Sequence, residues 1–310
     1  MTSTTEGIAL GGGLRNSGST GGRTGSIAWM VLPALAFFTF FGAVPLVGVV
    51  ILSMTDWPGF GALRGAGLSN WSSILQSSVM WHSLMLTFLV MGLTIVIQTP
   101  LALLLGVFTA GHQRYRAFLA VLYFLPLLLS AAAISAAYKA LLDPNFGLAA
   151  GLGVPWLKQN WLGDPTLALG VVLFALAWQY IPFHTLIYQG GVRQIPRSLY
   201  EAASIDGAGT VRQFINITLP QLKYTIITSV TLMVVGSLTA FDLIYVLTGG
   251  GPGDSTRILA LDMYKRGFQA NQMGPASVVA TILVVLGLCL ALLLQRLGGK
   301  DASASQQEGL

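Results

Sequence analysis

Charged side chains are scarce, making up 9% of the 310 residues, against about 25% in an ordinary soluble domain. That scarcity excludes a chain whose whole surface faces water. Cysteine is reduced to Cys289, so neither a disulfide nor a cysteine metal site can form within one chain. The three histidines, His82, His112 and His184, are scattered far apart along the sequence, which leaves no metal-ligand cluster and no Ser/His/Asp arrangement. Nor is there a Gly-x-x-x-x-Gly-Lys-Ser/Thr loop to cradle nucleotide phosphates. The chain therefore reads as a non-enzyme with no catalytic residues, metal or cofactor of its own.

Apolar length is what it has in abundance. Charge-free stretches run from Thr24 to Thr55, Gly65 to Gln113, Ala117 to Tyr138, Pro165 to Val192, Tyr224 to Phe241 and Gly267 to Gln295. A helix needs about 20 apolar residues to cross a bilayer, so the pattern predicts an all-α polytopic membrane protein with about six transmembrane helices. Residues 1–26, rich in Gly, Ser and Thr, read as a disordered tail. The apolar run Ile27–Leu52 is longer than a cleavable signal segment and reads as the first span. The membrane domain is expected over 27–297, with a second tail over 298–310.

Basic residues fall unevenly. With an even number of spans, one side carries Arg15, Arg23, Arg114, Arg116, Arg193, Arg197, Arg212, Lys223, Arg296 and Lys300, and the other carries Arg64, Lys139, Lys158, Arg257, Lys265 and Arg266. The richer side is expected to be cytoplasmic, together with both termini. This distribution explains the net charge of +5 without nucleic acid. Trp57, Trp71, Trp81, Trp156 and Trp161 sit near span ends, as an interfacial aromatic belt requires.

The long inner loop, 190–223, has its own pattern. Pro196 favours a helix start, Ser198 can cap it, and Glu201 follows three residues later, a capping-box spacing. Leu199, Ala202, Ala203 and Ile205 give that helix a small apolar face, and Gly207 and Gly209 let the chain turn. A second helix is expected from about Thr210 to Leu219, where Pro220 breaks it. Such a knob can fit a partner's groove, although the pattern alone serves equally a capped connector between two spans.

Glu201-Ala202-Ala203, Asp206-Gly207-Ala208 and Ile217-Thr218-Leu219-Pro220 together resemble the EAA loop of binding-protein-dependent ABC importer permeases. Further likeness comes from Ser53-Met54-Thr55-Asp56-Trp57, Tyr123-Phe124-Leu125-Pro126 and Leu247-Thr248-Gly249-Gly250-Gly251-Pro252-Gly253, which resemble the sugar-importer branch in its compact six-helix form. The resemblance implies a type I importer permease fold in the bacterial inner membrane. It also implies a second homologous permease, two ATP-binding subunits that hold ATP and Mg, an extracytoplasmic solute-binding protein and a sugar substrate. It assigns coupling to the ATPase to Glu201, Ala202, Ala203, Asp206, Gly207 and Ala208.

Polar and aromatic groups within spans are the first candidates for a transport path. Trp178, Gln179, Tyr180 and Phe183 precede the loop, and Ser237, Phe241, Asp242 and Tyr245 follow it. Flat apolar rings beside hydrogen-bonding groups suit a sugar. In related sugar permeases the helices flanking this loop hold the substrate, which points most directly to Trp178, Gln179, Phe183 and Ser237. Each also has a plain packing role open to it, with Pro182 as a kink. His184 reads as a satisfied residue near the cytoplasmic end of its span. The same architecture could carry glycerol-3-phosphate or glycerophosphodiesters, and an ion-coupled secondary transporter is the rival from another class.

Overall fold

The computed structural model describes residues 25–111, 114–153 and 158–298. Among these, strand is confined to a two-residue antiparallel ladder of β1 (Thr55–Asp56) and β2 (Arg64–Gly65). The expected tails, 1–26 and 298–310, lie outside the described residues apart from 25, 26 and 298. The chain divides into two compact units, Met1–Val47 and Gly48–Leu310. In the first, α1 (Gly25–Phe38) runs into a wide π turn at Thr39–Ala43 and then into the start of α2 (Val44–Leu52). Phe37, Phe40 and Phe41 are exposed there, with Phe37 and Phe41 in ring contact at 4.6 Å.

The second unit continues through α3 (Ser69–Leu75), α4 (Ser78–Thr109), α5 (Arg114–Leu128), α6 (Ala131–Leu141) and α7 (Leu148–Leu152). Then come α8 (Pro165–Gln194), α9 (Arg197–Ile205), α10 (Thr210–Gln213), α11 (Leu219–Gln221), α12 (Lys223–Leu238), α13 (Phe241–Leu247), α14 (Leu259–Tyr264) and α15 (Met273–Gly298). Further π turns occupy Phe214–Thr218 and Lys265–Gln269. Four helices are long and apolar enough to cross a membrane, and six if each of two sharply bent pairs counts as one span. The all-α fold with about six spans expected from the sequence is the one observed.

Two stretches differ from expectation. Ala117–Tyr138 is not one straight helix: α5 and α6 meet at 101°. Ser130 is extended there, and its Oγ accepts the Ala133 N–H at 3.2 Å, so it caps a new helix instead of continuing the old one. The fifth stretch stops at Leu238, and Phe241 opens a separate helix. Pro182 does not interrupt α8, which Asp164 starts by accepting the Thr166 and Leu167 N–H groups at 2.9 and 3.0 Å.

Proline also shapes the inner segment. Pro220 does not end its helix as expected; the segment runs on to Gln221 and bends at Leu222, 68° from α12. A proline ring collides with the carbonyl four residues back in a regular α-helix. The π turn at Phe214–Thr218, where the Leu219 N–H reaches the Phe214 carbonyl, widens the helix just before Pro220. Pro45 stands in the same relation to the π turn at Thr39–Ala43. In both places the wide turn gives the proline its room.

In the bundle, α4 packs chiefly on α8, α12 on α15 and α4, and α13 on α6. Helix α4 is polar inside and apolar outside. Ser83, Thr87, Thr94 and Gln98 are buried, while Met85, Phe88, Leu89, Val96 and Leu104 are exposed. That polarity is what lipid demands of a spanning helix. Helices α4 and α8 come close at Gly106, where an added Cβ would lie 2.7 Å from Tyr188 Cβ and 3.2 Å from the Thr185 carbonyl. Interfaces in lipid depend on such small residues. Gly106→Val is expected to destabilise the bundle by about 1–3 kcal/mol through overpacking, read as a lower melting temperature in detergent; an unchanged melting temperature would count against this crossing.

At the opposite end of α4, Asp262 is fully buried between Arg257 Nη2 at 2.7 Å and Arg266 Nε at 2.8 Å. Arg257 also reaches Asp254 at 3.2 Å, and Arg266 Nη2 donates to Ser77 Oγ at 3.2 Å, beside the start of α4. The Leu259 N–H donates to Thr87 Oγ1 at 2.9 Å. These bonds fasten the glycine-rich 248–258 loop and α14 to the bundle. The loop is braced from within by a 2.7 Å bond between the Thr248 and Thr256 hydroxyls.

Candidate functional site

Near the midpoint of α4, a cleft of about 410 Å3 opens between α4, α5, α8 and α12. Tyr180 and Phe183 of α8 supply aromatic rings, and Leu127, Leu176, Leu232 and Met233 supply aliphatic wall. Thr94 and Gln98 of α4, His184 of α8, and Ser237 and Thr239 at the end of α12 supply the polar groups. No Asp, Glu, Lys or Arg is among the lining residues. The cleft is half open and in reach of a ligand larger than water.

Of the residues singled out in the sequence, Tyr180, Phe183 and Ser237 meet in this cleft. Trp178, two positions before Tyr180, turns to Tyr138 of α6, ring edge to face at 5.9 Å. Gln179 is buried, and its Nε2 donates to the Leu129 carbonyl at 3.3 Å, where α5 breaks from α6. Phe241, Asp242 and Tyr245 belong to α13, outside the cleft. Phe241 stacks on Tyr245 at 5.2 Å, and both touch Tyr264 of α14, which contacts Phe268 in turn. His184 also lines the cleft; it is buried, and its Nδ1 shares a 2.9 Å hydrogen bond with Ser229 of α12, so it is satisfied by a neighbouring helix. Sequence reasoning missed Thr94 and Gln98. The signal was there, since Ser83, Thr87, Thr94 and Gln98 recur at helical spacing inside an apolar stretch.

The inner segment forms a knob of two short helices. Ser198 does not cap α9, which begins at Arg197 after Pro196 with no side-chain cap; the residue lies inside the first turn. Glu201 pairs instead with Arg197 at 3.1 Å on an exposed face. The helix ends in a Schellman motif, with the Ala208 N–H on the Ala203 carbonyl at 2.8 Å and Gly207 at φ +75°. Gln213 Nε2 donates to the Ala208 carbonyl at 2.8 Å and to Ser204 Oγ at 3.0 Å, and Tyr200 and Thr218 share a 2.9 Å bond, so the two arms are tied together. Between them, Ala203, Asp206, Ala208, Arg212, Gln213, Asn216 and Ile217 line a pocket of about 190 Å3. Ile205 is 88% exposed and Val211 73%, an unusual display of apolar side chains on a segment this polar.

Residues 98–300 match the model of the family described as binding-protein-dependent transport system inner membrane component. The chain is 34% identical to a probable ABC transporter permease protein of Pyrococcus horikoshii, over 86% of this chain and 93% of that one. It is 32% identical to the trehalose/maltose transport system permease protein MalF of Thermococcus litoralis, over 85% and 91%. Its fold is similar to a chain in the crystal structure of a bacterial ABC transporter involved in the import of the acidic polysaccharide alginate, with a TM-score of 0.78 at 20% identity, covering 90% of this chain and 97% of that chain.

Proposed function

This chain belongs to the family of binding-protein-dependent transport system inner membrane components, and from that premise we propose that it is one of two permease subunits of an ATP-driven importer that passes a neutral di- or oligosaccharide through the membrane by alternating access. The observation that carries the substrate class is the cleft: two aromatic rings, hydroxyl and amide groups, and no ionisable carboxylate, lysine or arginine in the wall. Rings fit the C–H faces of a sugar, and the polar groups fit its hydroxyls. A phosphate would call for arginine or lysine, which this wall does not offer. The name of the Thermococcus relative supports a disaccharide.

Energy enters through the knob. ATP and Mg are held by two partner ATPase subunits, whose closure moves α9 and α10 and tips the bundle outward-open to receive sugar from an extracytoplasmic binding protein; hydrolysis returns it inward. The excess of basic residues on the side of the knob supports placing it and both termini in the cytoplasm. An ion-coupled carrier usually keeps ionisable groups at the midplane, whereas the buried carboxylate described here, Asp262, is paired with Arg257 and Arg266 at one end of the bundle.

The test reconstitutes the chain with its second permease, ATPases and binding protein in proteoliposomes, and measures ATP hydrolysis and uptake with trehalose, maltose and glycerol-3-phosphate. Stimulation by a disaccharide and not by glycerol-3-phosphate is expected. Stimulation by glycerol-3-phosphate alone would overturn the sugar assignment, and no dependence on ATP would overturn the importer.

A further inference from the structure

Gln98 is 2% exposed, and its side chain makes no hydrogen bond to any described residue, yet it faces the cleft. One turn earlier on the same face of α4, the Thr94 hydroxyl is buried without a partner among the described residues. A buried hydroxyl left unpaired is costly, and the lipid around a bundle offers it no partner. Two of the neighbouring polar groups have already chosen partners: His184 Nδ1 is bonded to Ser229, and Thr239 bonds back to the Val235 carbonyl at 3.1 Å. Thr99, beside Gln98, is turned to Met233 Sδ at 3.5 Å. Gln98 is thus a planar donor and acceptor pair held ready in the wall of the cleft.

We propose that Gln98 is a specificity-determining residue of the cleft, binding two adjacent hydroxyls of the sugar through its amide, with Thr94 in support. The inference rests on the sugar reading of the same cleft. The chemistry is matched in kind: an amide presents one acceptor and two donors in a plane, and a pair of neighbouring hydroxyls presents donors and acceptors at a similar spacing. A site built to hydrogen-bond a hydroxyl rejects analogues that lack it, because the site's own buried groups are then left unpaired. Discrimination among sugars would therefore come from α4 as well as from the helices that flank the inner loop.

Gln98→Leu keeps most of the volume and removes the amide. If Gln98 serves a ligand, deleting it relieves an unpaired buried group, so the sugar-free assembled complex should melt at the same temperature as the parent or higher. The stabilisation given by added maltose or trehalose should need about tenfold more sugar or vanish, since one lost hydrogen-bonded group of 1.4 kcal/mol is a factor of ten. Thr94→Ser, which keeps the hydroxyl, should retain the sugar effect, and Thr94→Val should weaken it. A fall in the sugar-free melting temperature of Gln98→Leu, with the sugar response intact, would assign Gln98 to packing and overturn the proposal. A parent complex that responds to neither disaccharide would defeat the sugar reading itself, and the proposal with it.

Discussion

Asp262→Asn is expected to cost the protein about 3–5 kcal/mol, the penalty for removing one partner from a buried charge pair. Its carboxylate is wholly buried and accepts from two guanidinium groups, at 2.7 Å from Arg257 and 2.8 Å from Arg266. The neutral amide would leave both arginines with far weaker compensation, and Arg257 Nε already has no partner. Because Arg266 also holds Ser77, the loss would pass to the start of α4. The readouts are the melting temperature of the assembled complex and the amount of chain recovered in membranes. Asp254→Asn is the control: that carboxylate is 38% exposed in its 3.2 Å pair with Arg257, and exposed pairs are worth under about 1 kcal/mol. Equal effects of the two substitutions would refute the buried network as the fastening of this end.

Gly207→Pro is expected to cut sugar uptake at least about tenfold while ATP hydrolysis by the partner subunits continues. Gly207 sits at φ +75°, which proline cannot reach, and its N–H donates to the Ser204 carbonyl at 3.1 Å. An added Cβ would meet nothing within 4 Å, so backbone conformation alone makes the demand, and a left-handed conformation costs a side-chain-bearing residue about 1–2 kcal/mol. A penalty of 1.4 kcal/mol removes about nine-tenths of a docked geometry. Gly207 lies between α9 and α10, neither of which contributes to the buried core clusters, so insertion and thermal stability should change little. Ala203→Glu, which fills the pocket between α9 and α10, should act the same way. The measurement is sugar transported per ATP hydrolysed in proteoliposomes, and an unchanged ratio for both variants would rule out the coupling role.

The spans were legible because charge cannot cross lipid cheaply, and that constraint is written residue by residue. The bend between α5 and α6 was not, since Ser130 inside an apolar stretch reads as tolerable until its hydroxyl is seen to cap a helix. In the inner loop the glycine turn at Gly207 was readable from chemistry alone, whereas the Ser198 cap was a spacing that the fold used differently. Only half of the cleft could be foreseen. Tyr180, Phe183 and Ser237 were found by looking beside the loop, and that same habit hid Thr94 and Gln98 on a helix far from it in sequence. Asp254, Asp262, Arg257 and Arg266 were visible as loop charges, but nothing local distinguishes a solvated aspartate from one enclosed by two arginines; that depends on which elements pack around it.

The wide turn at Phe214–Thr218 has a consequence for length. It holds about one residue more than an α-turn, and each residue of an α-helix advances the side chains by about 100°. Everything after it, from Leu219 into α12, is therefore rotated relative to Val211 and the knob. The interval between Gly207 and Pro220 acts as a phase setting that fixes which face of α12 meets α4 and α15 when the knob is seated. Surface connections generally absorb an inserted or deleted residue with little effect. Here a change of one residue would rotate a span against its anchor, so the length of this stretch matters more than the identity of most side chains in it.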